Sequence, residues 1–151
     1  MTDYTHYKML IDGQWVSASD GAKFDSLNPT TGKIWATVPE ATAQDVDRAV
    51  RAADRAFTEG LWPAMSASER GHCLRRLAML LLERSDELGA IETIDTGKML
   101  KETRWQAKYI SEFFHFFAGC ADKIHGETLP IDKPDLFVFT NREPLGVIAA
   151  V

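Results

Sequence analysis

The residues of this 151-residue chain that could act as nucleophile, base or metal ligand are few and scattered. Cys73 directly follows His72, an adjacency that suggests a thiolate beside a base. The apolar spacing around them puts both in one helix. Consecutive side chains there point about 100° apart, so the two form no ready dyad. Cys73 is expected to be a small thiol, buried or half-buried. Cys120 lies between His115 and His125. These intervals do not bring three ligands to one helical face and match no zinc signature. Gly97-Lys98 lacks the preceding glycines of a phosphate loop, and no G-x-G-x-x-G occurs. Gly97 is expected instead to end a helix in the left-handed conformation.

The elements that would position such groups are legible from local chemistry. Met9-Leu10-Ile11, Asp12-Gly13 and Trp15-Val16 predict a hairpin with a type I′ turn. Residues 17–32 are rich in turn formers, and Ile34 to Val38 reads as a strand ending at Pro39. Thr42 with Asp45 predicts a helix start, and Val46, Ala49, Val50, Ala53 and Phe57 form its apolar stripe, with Gly60 placed to stop it. Ser66 with Glu69 opens a second helix, with Leu74, Leu77, Ala78 and Leu81 as its stripe. A third starts at Ser85, with Asp86 and Glu87 in its first turn and Leu88, Ile91 and Ile94 as its buried face.

A longer helix is expected from about Leu100 to Ala121. It carries Trp105, Tyr109, Phe113, Phe116 and Phe117. The three phenylalanines fit one face and read as core; Trp105 and Tyr109 extend it by one turn each. Glu112 and Arg104 read as solvent-facing residues or helix salt-bridge partners. Beyond Gly126, Leu129-Pro130-Ile131 is extended and Leu136 to Thr140 is a strong strand signal. The apolar run Gly146-Val147-Ile148-Ala149-Ala150-Val151 reads as the opening of a strand buried in a parallel sheet.

Composition narrows the classes. The net charge of -5 gives no electrostatic reason to bind nucleic acid or an anionic membrane. No apolar run approaches the roughly 18 residues of a membrane-spanning helix, and the N-terminus does not resemble a secretory signal. Two cysteines frame no disulfide scaffold, which suits a reducing compartment. A soluble, cytoplasmic protein is the expectation.

Several motifs recur in an order that resembles the aldehyde dehydrogenase superfamily over nearly the whole chain. They include Ile11-Asp12-Gly13-Gln14-Trp15, Asn28-Pro29-x-Thr31-Gly32, and Ala41-Thr42-x-x-Asp45-Val46 running on through Ala49 to Phe57. Trp62, Glu69-Arg70 and Leu74 are in register. The most telling are Glu92-Thr93-x-Asp95-Thr96-Gly97-Lys98, Ala118-Gly119-x-Ala121-Asp122-Lys123, Gly126-Glu127-Thr128 and Arg142-Glu143-Pro144-Leu145-Gly146-Val147.

The resemblance implies an α/β enzyme that oxidises a small-molecule aldehyde to a carboxylic acid with NAD or NADP through a cysteine thioester. It implies that the nucleophilic cysteine, the general-base glutamate, the oxyanion-hole asparagine and the nicotinamide-binding loops lie beyond the residues present here. Residues 1–125 are then the N-terminal part of the dinucleotide-binding domain, with β-hairpins followed by four helices. Residues 126–143 are a two-stranded oligomerisation arm, and 144–151 are the first strand of the Rossmann-like sheet, cut short. By the same resemblance Trp105 and Tyr109 match substrate-tunnel positions. Backbone carbonyls at Ser26 or Leu27, with Asp95, match a monovalent-cation site found in some members. A homodimer or homotetramer is implied. The isolated piece is expected to be inactive. The alternatives are a non-catalytic structural or interaction module, or one half of a split enzyme.

Overall fold

The computed structural model describes residues 5–150. Its first structural unit is built from turns. β2 (Met9–Ile11) and β3 (Gln14–Val16) pair antiparallel, with Ile11 opposite Gln14. Asp12 and Gly13 both have positive φ, 53° and 73°, the backbone of the expected type I′ turn. A three-stranded sheet lies beside it in the order β1 (Thr5–His6), β5 (Lys33–Pro39), β4 (Lys23–Asn28). β4 and β5 are antiparallel, whereas β1 adds parallel to β5. The strand at 23–28 corrects the reading of 17–32 as turns alone. Lys23-Phe24-Asp25-Ser26-Leu27-Asn28 has no clean alternation, since Asp25 and Ser26 are adjacent polar residues, and the segment becomes a strand through its pairing with β5. The register shifts between Ser26 and Leu27, opposite Trp35.

α1 (Ala43–Thr58) begins at the expected capping box. Asp45 is 1% exposed. Its Oδ2 accepts hydrogen bonds from the Ser19 amide at 2.9 Å, the Thr42 amide at 3.1 Å and both hydroxyls. The Ser19 amide, then the Thr42 amide, hold the carboxyl down at about 2, although burial opposes the shift. One carboxylate thus ties the turn after β3 to the start of α1. Gly60 follows the end of the helix, as expected. Its φ is -76°, and it caps the short α2 (Leu61–Ala64). A side chain there would press on the Ala56 carbonyl, which explains a glycine at this position.

α3 (Ala67–Glu83), α4 (Ser85–Thr96) and α5 (Leu100–Cys120) make the helical layer, and α5 packs against both of the others. α3 opens with the Ser66–Glu69 capping box, and Gly97 ends α4 at φ 75°, as expected. The residues between the helices are small. Ala78, Thr103, Ala107, Ser111 and Ala118 are buried, and Gly89 and Gly71 bring α4 and α3 against α5. Thr93 and Thr103 join hydroxyls across the α4–α5 contact at 2.8 Å.

This packing corrects several sequence expectations. Phe113, Phe116 and Phe117 are not core residues; they are exposed on α5. Val46, Val50 and Phe57 of α1, Leu77 of α3 and Leu88 and Ile94 of α4 are likewise exposed. Where α4 and α3 approach α5 closely, the contact admits small side chains and the large ones are turned out; α1 packs instead mainly on α2 and β2, which leaves its apolar stripe uncovered. Cys73 is exposed rather than buried or half-buried.

β6 (Thr128–Leu129) and β7 (Val138–Phe139) form an antiparallel ribbon. The Thr140 amide donates to the Glu127 carbonyl at 2.8 Å and closes its base. Residues 144–150 form no strand among the described residues, and Val151 lies outside them. Their apolar run has no neighbouring strand beside it among the described residues, and a parallel strand exists only through such neighbours. Gly146 instead lies near the Phe57 ring of α1.

Candidate functional site

Two places gather the residues singled out by sequence. The first is the outer face of α5. Trp105 and Tyr109, one turn apart, stack with centroids 4.9 Å apart and planes 10° from parallel. Tyr109 meets Phe113 edge-on at 5.2 Å, and Phe116 meets Phe117 likewise at 5.3 Å. The first two spacings follow from i, i+4 neighbours on a helix, whereas Phe116 and Phe117 are consecutive residues; each geometry is one that aromatic quadrupoles favour. The rings are 47–65% exposed. Tyr109, Glu112, Phe113, Phe116 and Phe117 line an open groove of ≈ 390 Å³. Trp105 and Tyr109 are therefore brought together, and outside the core. The other three rings continue the same surface, which the expectation of a phenylalanine core had missed. Chemically this is an apolar wall with one carboxylate, Glu112, at its edge. Arg104 is on the other side, 3.6 Å from Asp86 of α4.

The second place is the junction of β4 with the C-terminal end of α4. Ser26 Oγ donates to Asp95 Oδ1 at 2.6 Å, across 69 residues of sequence. Trp35 Nε1 donates to Ser26 Oγ at 2.9 Å. Sequence reasoning had paired Ser26 with Asp95 but had not found Trp35. The register shift opposite Ser26 and Leu27 is the structural signal for it, and no sequence pattern announces that shift. Leu27 is exposed beside them. Gly97 brings the end of α4 onto the β4–β5 turn, where its φ of 75° and the Pro29 ring 2.8 Å from any added Cβ both exclude larger residues. The result is a side-chain link from β4 to the end of α4, with one Asp95 carboxylate oxygen engaged by the Ser26 hydroxyl.

Nothing else assembles into a reactive centre among the described residues. Cys73 and Cys120 are free thiols with no shared site, and no group of three His, Cys, Asp or Glu side chains could hold a metal ion. His115 and His125 are exposed and do not converge on Cys120. No helix is long and apolar enough to cross a membrane.

Comparison with known proteins matches residues 15–151 to the model of the aldehyde dehydrogenase family. A (Z)-2-((N-methylformamido)methylene)-5-hydroxybutyrolactone dehydrogenase from Acinetobacter baylyi is 46% identical over 146 residues, which are 96% of this chain and 29% of that protein. The crystal structure of an NAD-dependent aldehyde dehydrogenase from Sinorhizobium meliloti superposes with a TM-score of 0.82 at 35% identity, covering 89% of this chain and 27% of that one. A betaine aldehyde dehydrogenase from Staphylococcus aureus, solved with NAD+, gives 0.78 at 38% identity over 85% of this chain and 26% of that one. This chain thus spans less than a third of the length of these relatives. With the motif order, the fold and the family model in agreement, the chain belongs to the aldehyde dehydrogenase family.

Proposed function

We propose that this chain is the tunnel-side portion of an oxidoreductase that converts an aldehyde to a carboxylic acid with NAD or NADP through a cysteine thioester. The observation that carries the reading is the exposed Trp105–Tyr109 stack on α5, in a chain of this family. Two large rings kept out of the core and held parallel provide a rigid apolar wall at low entropic cost. Such a wall orients an apolar or aromatic aldehyde and excludes bulk. NAD is favoured because the Sinorhizobium relative is named NAD-dependent and the Staphylococcus relative was solved with NAD+.

The described residues do not fit the dinucleotide. They include no glycine-rich phosphate loop and no parallel sheet with a crossover helix. No step through the cofactor is assigned to them, and the isolated chain is inactive in this reading. Ser26, Leu27 and Asp95 fit a monovalent cation better, since all the available donors are oxygens. A cation there would pin the C-terminal end of α4 to β4. The β6–β7 ribbon presents Phe137 and Phe139 outward, which supports assembly as a homodimer or homotetramer. A cytoplasmic location accords with the free thiols.

The test is steady-state kinetics of an active protein that carries these residues, with Trp105→Ala and Tyr109→Ala. Both changes should raise KM for benzaldehyde about 10-fold, the scale expected for losing one to two kcal/mol of aromatic contact. Acetaldehyde kinetics should hardly move. Equal effects on both aldehydes, or none, would show that the rings do not line the substrate path.

A further inference from the structure

We propose that Glu112 sets the charge preference of the groove on α5, so that the site favours an aldehyde carrying a cationic group at the end away from its carbonyl, a preference that depends on the tunnel reading of the same face. Four of the five residues lining the ≈ 390 Å³ groove are aromatic, and the fifth, Glu112, is the only one of them that is charged. The faces of aromatic rings carry negative potential, which attracts an ammonium group, a quaternary one above all. A carboxylate at the edge of the same rings adds to that potential with the same sign. A neutral apolar group needs the rings alone and gains nothing from the carboxylate. An anionic group is repelled by both.

The neighbouring charges leave that carboxylate free to act. Lys108 is four residues before Glu112, the spacing at which opposite charges on a helix commonly pair. The two form no ion pair among the described residues. Lys108 Nζ is directed instead to Asp86 Oδ1 of α4, at 4.0 Å, and Arg104 Nε approaches the same oxygen at 3.6 Å. α5 therefore divides its charges between two sides. Its cations turn to the acidic start of α4, and its carboxylate stays with Tyr109, Phe113 and Phe116. A carboxylate that served only to solvate the helix surface would act equally on all aldehydes. A carboxylate that faces the far end of a bound aldehyde would discriminate by charge alone, with shape held constant.

The experiment compares two aldehydes of one shape, para-trimethylammoniobenzaldehyde and para-tert-butylbenzaldehyde, in an active protein that carries these residues. Their intrinsic reactivities differ, but that difference cancels when a variant is compared with its parent. Glu112→Gln should lower the cationic-to-neutral ratio of kcat/KM about 5-fold, the upper end for one exposed charge pair. The change should appear in KM for the cationic aldehyde, with KM for the neutral one unmoved. Glu112→Lys should lower the ratio at least about 10-fold, since it places like charges together. Salt at about 1 M should shrink the parent's ratio and leave that of Glu112→Gln nearly constant. Glu83→Gln removes the same charge at the end of α3 and should keep the parent's ratio. A ratio that neither Glu112 variant changes would overturn the proposal, as would equal KM rises for both aldehydes, the mark of a structural role. Trp105→Ala reads the tunnel separately. If it raises KM for both aldehydes while Glu112→Gln leaves the ratio at the parent's value, the tunnel reading stands and the charge preference falls. If neither side chain matters to either aldehyde, both fall.

Discussion

Replacing Gly89 by alanine tests the helix packing on which the outward turn of the aromatic face depends. An added Cβ would lie 2.8 Å from both the Cα and the amide nitrogen of Arg104, and 2.9 Å from its Cγ. Backbone atoms cannot rotate aside, and carbon–carbon contact is favourable only near 3.5–4.0 Å. α4 and α5 must therefore separate by about half an ångström or more. Overpacking of this kind costs about 1–3 kcal/mol. The displacement also strains the 2.8 Å Thr93–Thr103 bond one turn further along the same contact, where about 1 kcal/mol is at stake. Against this, alanine is favoured over glycine in a helix by about 0.8–1.0 kcal/mol. The balance is a net loss of about 1–3 kcal/mol, or a fall in Tm of roughly 2–12 °C for a chain of this size. Gly119, in the last turn of α5, has nothing within 4 Å of its would-be Cβ. Gly119→Ala should therefore stabilise by up to about 0.5–1 kcal/mol. Urea denaturation followed by far-UV circular dichroism measures both. Changes of the same sign, or a neutral Gly89→Ala, would refute the close α4–α5 contact.

Three further outcomes follow from single contacts. Thr103→Val removes one hydroxyl of the buried Thr93–Thr103 pair and should cost about 1–2 kcal/mol. The double change Thr93→Val with Thr103→Val should recover part of that loss in a denaturation cycle. Gly97→Ala forces a side chain into the left-handed region and against Pro29, costing at least about 1–2 kcal/mol of backbone strain, visible as a lower melting temperature. Asp45 carries a pH dependence. Its carboxyl is depressed to about 2 from 3.8, so its contribution is fully present well above pH 3.8 and is lost as the pH falls toward 2. Thermal melts of the parent and Asp45→Asn should differ most near neutral pH and converge below about pH 2. A gap that stays constant with pH would show that the Asp45 charge plays no part.

Much of the chain could be read from its residues one turn at a time. Asp12-Gly13, Thr42 with Asp45, Ser66 with Glu69, and Gly97 each satisfy or terminate a local set of backbone groups, and the structure places each in that role. These features depend on neighbours within a few residues, which is why composition and spacing reveal them. The motif order led to the right family for the same reason.

Contacts at long range were less legible. β4 exists because β5 pairs with it, and the parallel β1 pairing could not be inferred from two residues. Periodicity marked the large side chains of α1 and α5, yet it cannot say which neighbour a face meets. α4 and α5 approach through Gly89, Thr93 and Thr103, and α3 and α5 through Gly71 and Ala118, so that contact admits only small groups and the rings stand outside it. Likewise Ser26, Trp35 and Asp95 meet because a register shift turns Trp35 toward β4 and Gly97 lets the end of α4 settle on Pro29. Local chemistry thus determined where each element starts and stops. Close packing between distant segments decided which faces were buried, because the separation of two helices is set by the smallest side chains between them.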